Sequence, residues 1–340
     1  MFSLMRKRLF FALVFVAALS LLSMGIEAWQ LTRLGYEIDH LPARLDPQGW
    51  HIAWQGRETI WRPWGSRIVV VRPLLTGPND RFWAGIQITL GTDLLHPFSL
   101  SLSARGTQII HWGPHFTLGT GTLNGRLVPK SGQITLRTDT LTVAGAPLPG
   151  VEMISFQNVT AHILMPLSED RQATALGVDL RAETAMPQFT IDKTPANRLR
   201  TLLSLLPPPR NLRLIVAVLG IQPLMAESSS FSGLTGNGRY LIQEASFLLG
   251  PLSCVARGTL GHEGTGTLWA HITGLREFAR FGVDHAPAWL RANPDYTPLF
   301  RTLDEQTVRI PDRIDLPLQV GSNDNLLQNH ILAIITGHSR

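Results

Sequence analysis

One cysteine, Cys254, stands in the whole of the 340-residue chain. An intrachain disulfide is therefore impossible, and the small disulfide-stapled scaffolds of secreted mini-domains are excluded. An oxidising compartment is not, because a chain of this length can bury enough apolar surface to fold without staples. Cys254 sits in LLGPLSCVARG with no neighbouring histidine, and reads as a small apolar strand residue rather than a nucleophile. Basic runs are missing as well. The net charge is +5, but Arg6, Lys7 and Arg8 alone supply three of those charges. Beyond them no basic stretch alternates with aromatics, which argues against a nucleic-acid partner.

Catalytic signatures are also lacking. There is no GxSxG elbow for an esterase nucleophile, and His262-Glu263 lacks the second histidine of HExxH. The string GTGTLNG matches neither GxGxxG nor a P-loop. HWGPH carries His111 and His115, but the Gly-Pro between them breaks the helix that would put both rings on one side. No cysteine or carboxylate completes a zinc set there. Carboxylates are sparse, and neither Asp179 with Glu183 nor Asp312 with Asp315 supports a glycosidase pair. The chain is thus expected to have no catalytic residue, cofactor or metal. A hydrolase whose residues come together only in three dimensions stays as a lesser alternative.

What the sequence does have begins with Leu9 to Ile26, LFFALVFVAALSLLSMGI, eighteen residues without a charge. As a helix they reach about 27 Å, close to the ~30 Å of a bilayer core. Arg6, Lys7 and Arg8 precede the run, and Trp29 follows where an interfacial aromatic would hold a helix end. The run exceeds a usual signal-peptide core and lacks a clean Ala-x-Ala, so it reads as an uncleaved anchor. The basic residues keep the N-terminus cytoplasmic and send the rest outward. No later apolar stretch is long enough to cross. The expected location is therefore the inner membrane of a bacterium, single-pass, with the bulk of the chain in the periplasm.

After the anchor, 30 glycines and 23 prolines suit many short strands and turns. Leu31, Leu34 and Ile38 fall at near-helical spacing, so the anchor helix either continues for several turns or gives way to a connector. Trp50, Trp54, Trp61 and Trp64 cluster soon after, as membrane-level aromatics or as core filling. From there apolar and polar residues alternate. Ile86, Ile88 and Leu90 are followed by Phe98, Leu100 and Leu102 among serines, and later by Ile134 to Val143, Ile154 to Ile163 and Leu176 to Leu180. A period of two puts one face on a core and the other in water. Leu212, Leu214, Val216 and Val218 resume the pattern, followed by Leu252 to Leu260 and Ile314 to Val320, where Pro317 marks a sheet edge. Short helices are expected in LREFARF and near Ala288 to Ala292.

The fold class is mainly β with an N-terminal transmembrane helix, the sheets extended, antiparallel and curved or sandwich-like, in two similar halves. Residues 1–8 form a cytoplasmic tip, 9–28 the anchor and 29–183 a first β-rich half. A Pro-rich connector at 184–209 carries the helical stripe Leu199, Leu202, Leu203 and Leu206, and 210–340 form the second half. The strings LGTGTLNGRLVP at 118–129 and EGTGTLWAHITG at 263–274 hint at a repeated hairpin.

The basic tip with one apolar segment, LDPQGWHIAWQG, RIVVVRPLL, FWAGIQITLGTDLLHPFSLSLSA and LLGPLSCVARGTLGHEGTGTLWAHITGL together resemble the bacterial domain of unknown function 2125 family. The resemblance covers roughly residues 10–280 and implies an envelope protein with no catalytic residues to carry over. In architecture the chain is similar to AsmA-like envelope proteins, which join an N-terminal anchor to a curved sheet with an apolar concave side and are tied to lipid traffic. That likeness is one of fold and does not itself assign function. The expected role is a membrane-tethered, non-enzymatic β scaffold. Its apolar faces, Ile86, Ile88, Phe98, Leu100, Leu102, Leu212, Leu214, Val216 and Val218, either line an acyl groove or bury one another in a closed sandwich. Partners would be the inner membrane and either lipids or envelope proteins, the second being the role of an assembly component.

Overall fold

The computed structural model describes residues 28–320 together with Gly25, apart from internal segments at 63–64, 94–95, 113–115, 146–150, 166–173, 190–205, 220–238, 262–264, 287, 293–296, 298–300 and 303–309. Arg6, Lys7, Arg8 and the apolar run Leu9 to Ile26, Gly25 excepted, lie outside the described residues. Among the described residues no helix is long and apolar enough to cross a membrane. The chain is mainly β, a large antiparallel sheet with short helices, as the alternation of apolar and polar residues led one to expect. It divides into two compact units, Met1–Asp139 and Thr140–Arg340. Of the segment 184–209, residues up to Phe189 belong to a strand, while 190–205, with Leu199, Leu202 and Leu203, lie outside the described residues.

The first unit opens with helix α1 over residues 28–45. Leu31, Leu34 and Ile38 recur at i, i+3 and i+7 and give it a single apolar stripe. The helix continues past Pro42, which removes one internal hydrogen bond from its last turn. A 3-10 turn, Asp46–Gln48, then ends it, and Gly49 takes the left-handed conformation (φ 75°) that glycine adopts most readily. The strands that follow are β1 (His51–Ala53), β2 (Gly56–Ile60), β3 (Arg67–Val71), β4 (Leu74–Gly77), β5 (Arg81–Asp93), β6 (His96–His111), β7 (Thr117–Thr120), β8 (Leu123–Val128) and β9 (Gln133–Ala144). The antiparallel pairs are β1 with β4, β4 with β5, β2 with β3, β3 with β5, β5 with β6, β6 with β7 and β8, and β8 with β9. The stripe of α1 lies on one face of this sheet. Leu31, Ile38, Ile68 and Val70 are buried together, with Leu34, Trp54 and Leu90 packed around them.

The second unit contains β10 (Val151–Leu164), β11 (Thr174–Phe189), β12 (Arg210–Leu219), β13 (Arg239–Leu249), β14 (Leu252–Leu260), β15 (Gly266–Thr273) and β16 (Arg313–Val320), each paired antiparallel with the next. Helices α2 (Leu275–His285) and α3 (Ala288–Arg291) interrupt the order between β15 and β16. Both fall where the sequence placed short helices. Among the described strands β16 pairs with β15 alone, so Pro317, opposite Trp269, sits on an edge where its missing N–H costs no ladder bond. The near-repeat strings do not form equivalent units. Residues 118–129 cover β7, a turn and β8, whereas 263–274 contain the single strand β15.

Candidate functional site

Strand register assembles the apolar side chains of the second unit into continuous rows, because residues directly opposite one another across an antiparallel pair share a face. One row runs Ile163, Val178, Val216, Ile242, Gly258, Leu268 and Leu318 from β10 to β16. The next runs Ala161, Leu180, Leu214, Ala245, Ala256, Ala270 and Leu316. A third joins Leu176, Val218, Tyr240, Leu260, Gly266 and Val320, and a fourth Phe247, Cys254, Ile272 and Ile314. No charged residue enters any of them. With strands ~4.8 Å apart and alternate residues ~6.8 Å apart, the rows cover roughly 29 by 20 Å of sheet. Small residues fill the middle, and Ala256, Ala270, Ile242 and Val218 are buried. Most of the large aliphatic side chains, Leu180, Leu214, Val216, Leu268, Leu316 and Leu318 among them, remain half-buried.

Leu212, Leu214, Val216 and Val218 all lie on β12, the last three within these rows. The residues named in the first unit do not form one set. Ile88 and Leu102 stand in register beside Leu90 and Ala104, on the face that α1 covers, and Leu100 pairs with Thr92 on that same face. Ile86 occupies the register shift between Gly85 and Gln87 and is 56 % exposed. Phe98 belongs to β6, but its side chain lies outside the described residues. Trp29 is on α1 and 61 % exposed, with the Arg33 guanidinium 5.6 Å from its ring centroid. Of the tryptophan cluster, Trp50 is buried, Trp54 packs on the α1 core and Trp61 is exposed, while Trp64 lies outside the described residues. What sequence reading missed on the apolar face is Ile242, Ala245, Phe247, Leu268, Ala270 and Ile272, which strand register joins across β13, β14 and β15.

The opposite face of the second unit is polar around one ion cluster. Arg181 donates from Nη2 to Asp179 Oδ2 at 2.8 Å, and Arg213 donates from Nε and Nη2 to the same carboxylate at 3.2 Å. Arg213 also lies 3.7 Å from Glu244. The Arg181 guanidinium first, and Arg213 with it, holds the Asp179 carboxyl well below the usual carboxylate range. Nearer the edge, His271 bonds across the strands to Asp315 and draws its carboxyl down, helped by Arg313. These groups satisfy one another. Glu183 accepts from Asn158, so Asp179 and Glu183 have separate partners. His111 bonds to Thr117 Oγ1 at 2.9 Å and stacks on Phe82; His115, His262 and Glu263 lie outside the described residues. Burial pushes the Cys254 thiol up, away from the nucleophilic thiolate. Among the described residues no cluster of histidine, cysteine and carboxylates has the geometry to hold a metal.

A family model described as an uncharacterized protein conserved in bacteria, DUF2125, matches residues 28–320. The chain belongs to that family. The match starts with α1 and ends with β16, so it takes in every strand among the described residues. No curated protein and no solved structure matches the chain. Membership in DUF2125 brings no reaction with it, and the chemistry must be read from the side chains.

Proposed function

We propose that this DUF2125 protein is a membrane-anchored, non-enzymatic envelope protein whose second unit takes lipid acyl chains along its apolar face. The observation that carries the reading is the set of uncharged rows from β10 to β16, whose large aliphatic side chains stay half-buried. In a closed sandwich such side chains would be sealed between two sheets about 10 Å apart. The rows span roughly 29 by 20 Å, and their half-buried side chains leave apolar surface of the kind that marks a binding face. Acyl chains, each about half of a ~30 Å bilayer core in length, fit within its dimensions. The reading takes the sheet as curved with its apolar side inward, as in AsmA-like proteins, and places the bulk of the chain in the periplasm.

The test is lipid analysis of the full chain after gentle extraction. Stoichiometric phospholipid retained through size exclusion supports the acyl-chain reading. A lipid-free protein that instead co-elutes with an envelope protein would replace it with the role of an assembly component.

A further inference from the structure

A second and chemically different site lies in the first unit, between α1 and the sheet. It is a cleft of about 400 Å³, with Leu34, Leu100 and Pro129 in its wall and Trp29, Arg33 and Lys130 among its other lining residues. The volume falls within the ~300–1,000 Å³ of small-ligand sites, which are typically apolar with a few convergent polar groups. The lining has two cations from two elements, the exposed Arg33 from α1 and the exposed Lys130 from the 3-10 turn Pro129–Ser131. Among the described residues neither makes an ion pair, although Arg33 lies against the Trp29 ring. Glu37, the acidic residue of the lining, is bound to Arg44 at 2.7 Å. The cleft therefore has an apolar wall and two cations that make no ion pair among the described residues. A second cleft beside α1, about 390 Å³, shows the contrast. Its arginine, Arg57, is tied to Asp39, so it has no cation to spare.

We infer that the Arg33–Lys130 cleft binds a single-chain anionic amphiphile, the acyl chain against Leu34 and Leu100 and the anionic head between the two cations. A carboxylate and a phosphate head meet the same two donors, so a fatty acid and a lysophospholipid are both sources of this chemistry. The site stands independently of the acyl-binding face in the second unit.

Photolabelling of the full chain in phosphatidylcholine nanodiscs tests it, using a diazirine-bearing 16-carbon fatty acid and the amine of the same chain. The fatty acid is expected to label peptides carrying Trp29 to Glu37, Leu100 or Lys130, with roughly tenfold less label from the amine. R33E/K130E should lower that labelling by a similar factor, R33K/K130R should keep it, and Leu100→Trp should block it by filling the cleft. Competition by laurate and by lysophosphatidylglycerol then identifies the source of the anionic head. Equal labelling by acid and amine, or labelling untouched by R33E/K130E, overturns the inference. So does label confined to β10–β16, which would leave the acyl-binding face supported and this site refuted.

Discussion

Gly77 shows how one missing Cβ sets the packing of a tryptophan. The Trp50 ring lies over it so closely that a Cβ on residue 77 would come 2.5 Å from ring carbons. Trp50 is itself 7 % exposed and tilted against Trp112, 6.3 Å between centroids, so the rigid ring has little room to retreat. Gly77→Ala is expected to cost about 1–3 kcal/mol, the usual range for overpacking. The same substitution in a Trp50→Ala background should cost almost nothing, and urea unfolding of the four variants measures the coupling. A second residue-scale prediction concerns Asp179. Its folded-state pKa is depressed by Arg181 and Arg213, so its contribution to stability is complete above the unfolded value of about 3.9 and fades as pH falls through the folded value. Asp179→Asn would leave Arg181 and Arg213 facing one another in register, a loss of about 1 kcal/mol at neutral pH. The difference in thermal midpoint between wild type and D179N should hold constant down to about pH 5 and shrink below about pH 4. A gap unchanged at pH 3 would mean that the carboxylate is not held by the two arginines.

At the scale of the element, α1 is a helix because of its apolar stripe, and it stays in place because of what that stripe meets. Leu31 and Ile68 are 2 % and 0 % exposed. Leu31→Ala therefore removes buried methyl groups at a site with little freedom to collapse, at about 2–5 kcal/mol. Trp29, two residues earlier and 61 % exposed, should change stability by no more than about 0.5 kcal/mol when replaced by alanine. The ratio of the two effects, read from urea midpoints, tests whether α1 is seated through the Leu31 face. This stripe was legible in the sequence, as were the alternating stretches within β5, β6, β10, β12 and β16, each of which keeps a period of two over several residues. Strand β13 was not. Its register slips between Ile242 and Ala245, so Tyr240 and Ile242 share a face with Ala245 and Phe247 although the sequence count puts them on opposite sides. A bulge adds one residue and reverses the parity, and the linear pattern carries no marker for it. Beside Ile86 the extra residue lies on the partner strand β6, where Arg105 to Gln108 oppose Gln87 to Gly85, and Ile86 is exposed although alternation groups it with Ile88.

At the scale of the whole molecule, composition already indicated a chain built on many strands, but only the pairing shows how far the apolar side chains combine. Leu214 alternates unremarkably within β12; what distinguishes it is its place in a row of seven uncharged residues reaching from Ala161 to Leu316. That separates two kinds of substitution on one sheet. Thr259, exposed on the opposite face between Leu241 and Thr267, can take a charge into water, so Thr259→Asp should leave both stability and bound lipid unchanged. Leu214→Asp places a carboxylate in the middle of the apolar rows, where an acyl chain would have to desolvate it without a partner. Retained phospholipid should then fall by roughly tenfold or more, since one uncompensated polar group costs at least ~1–3 kcal/mol on contact. Leu214→Met, similar in volume and apolar, should retain lipid at the wild-type level. Lipid-to-protein ratio after gentle extraction, with circular dichroism to confirm an intact sheet, reads all three variants. If Leu214→Asp folds and keeps its lipid, the acyl chains do not lie on these rows, and the apolar face serves packing alone.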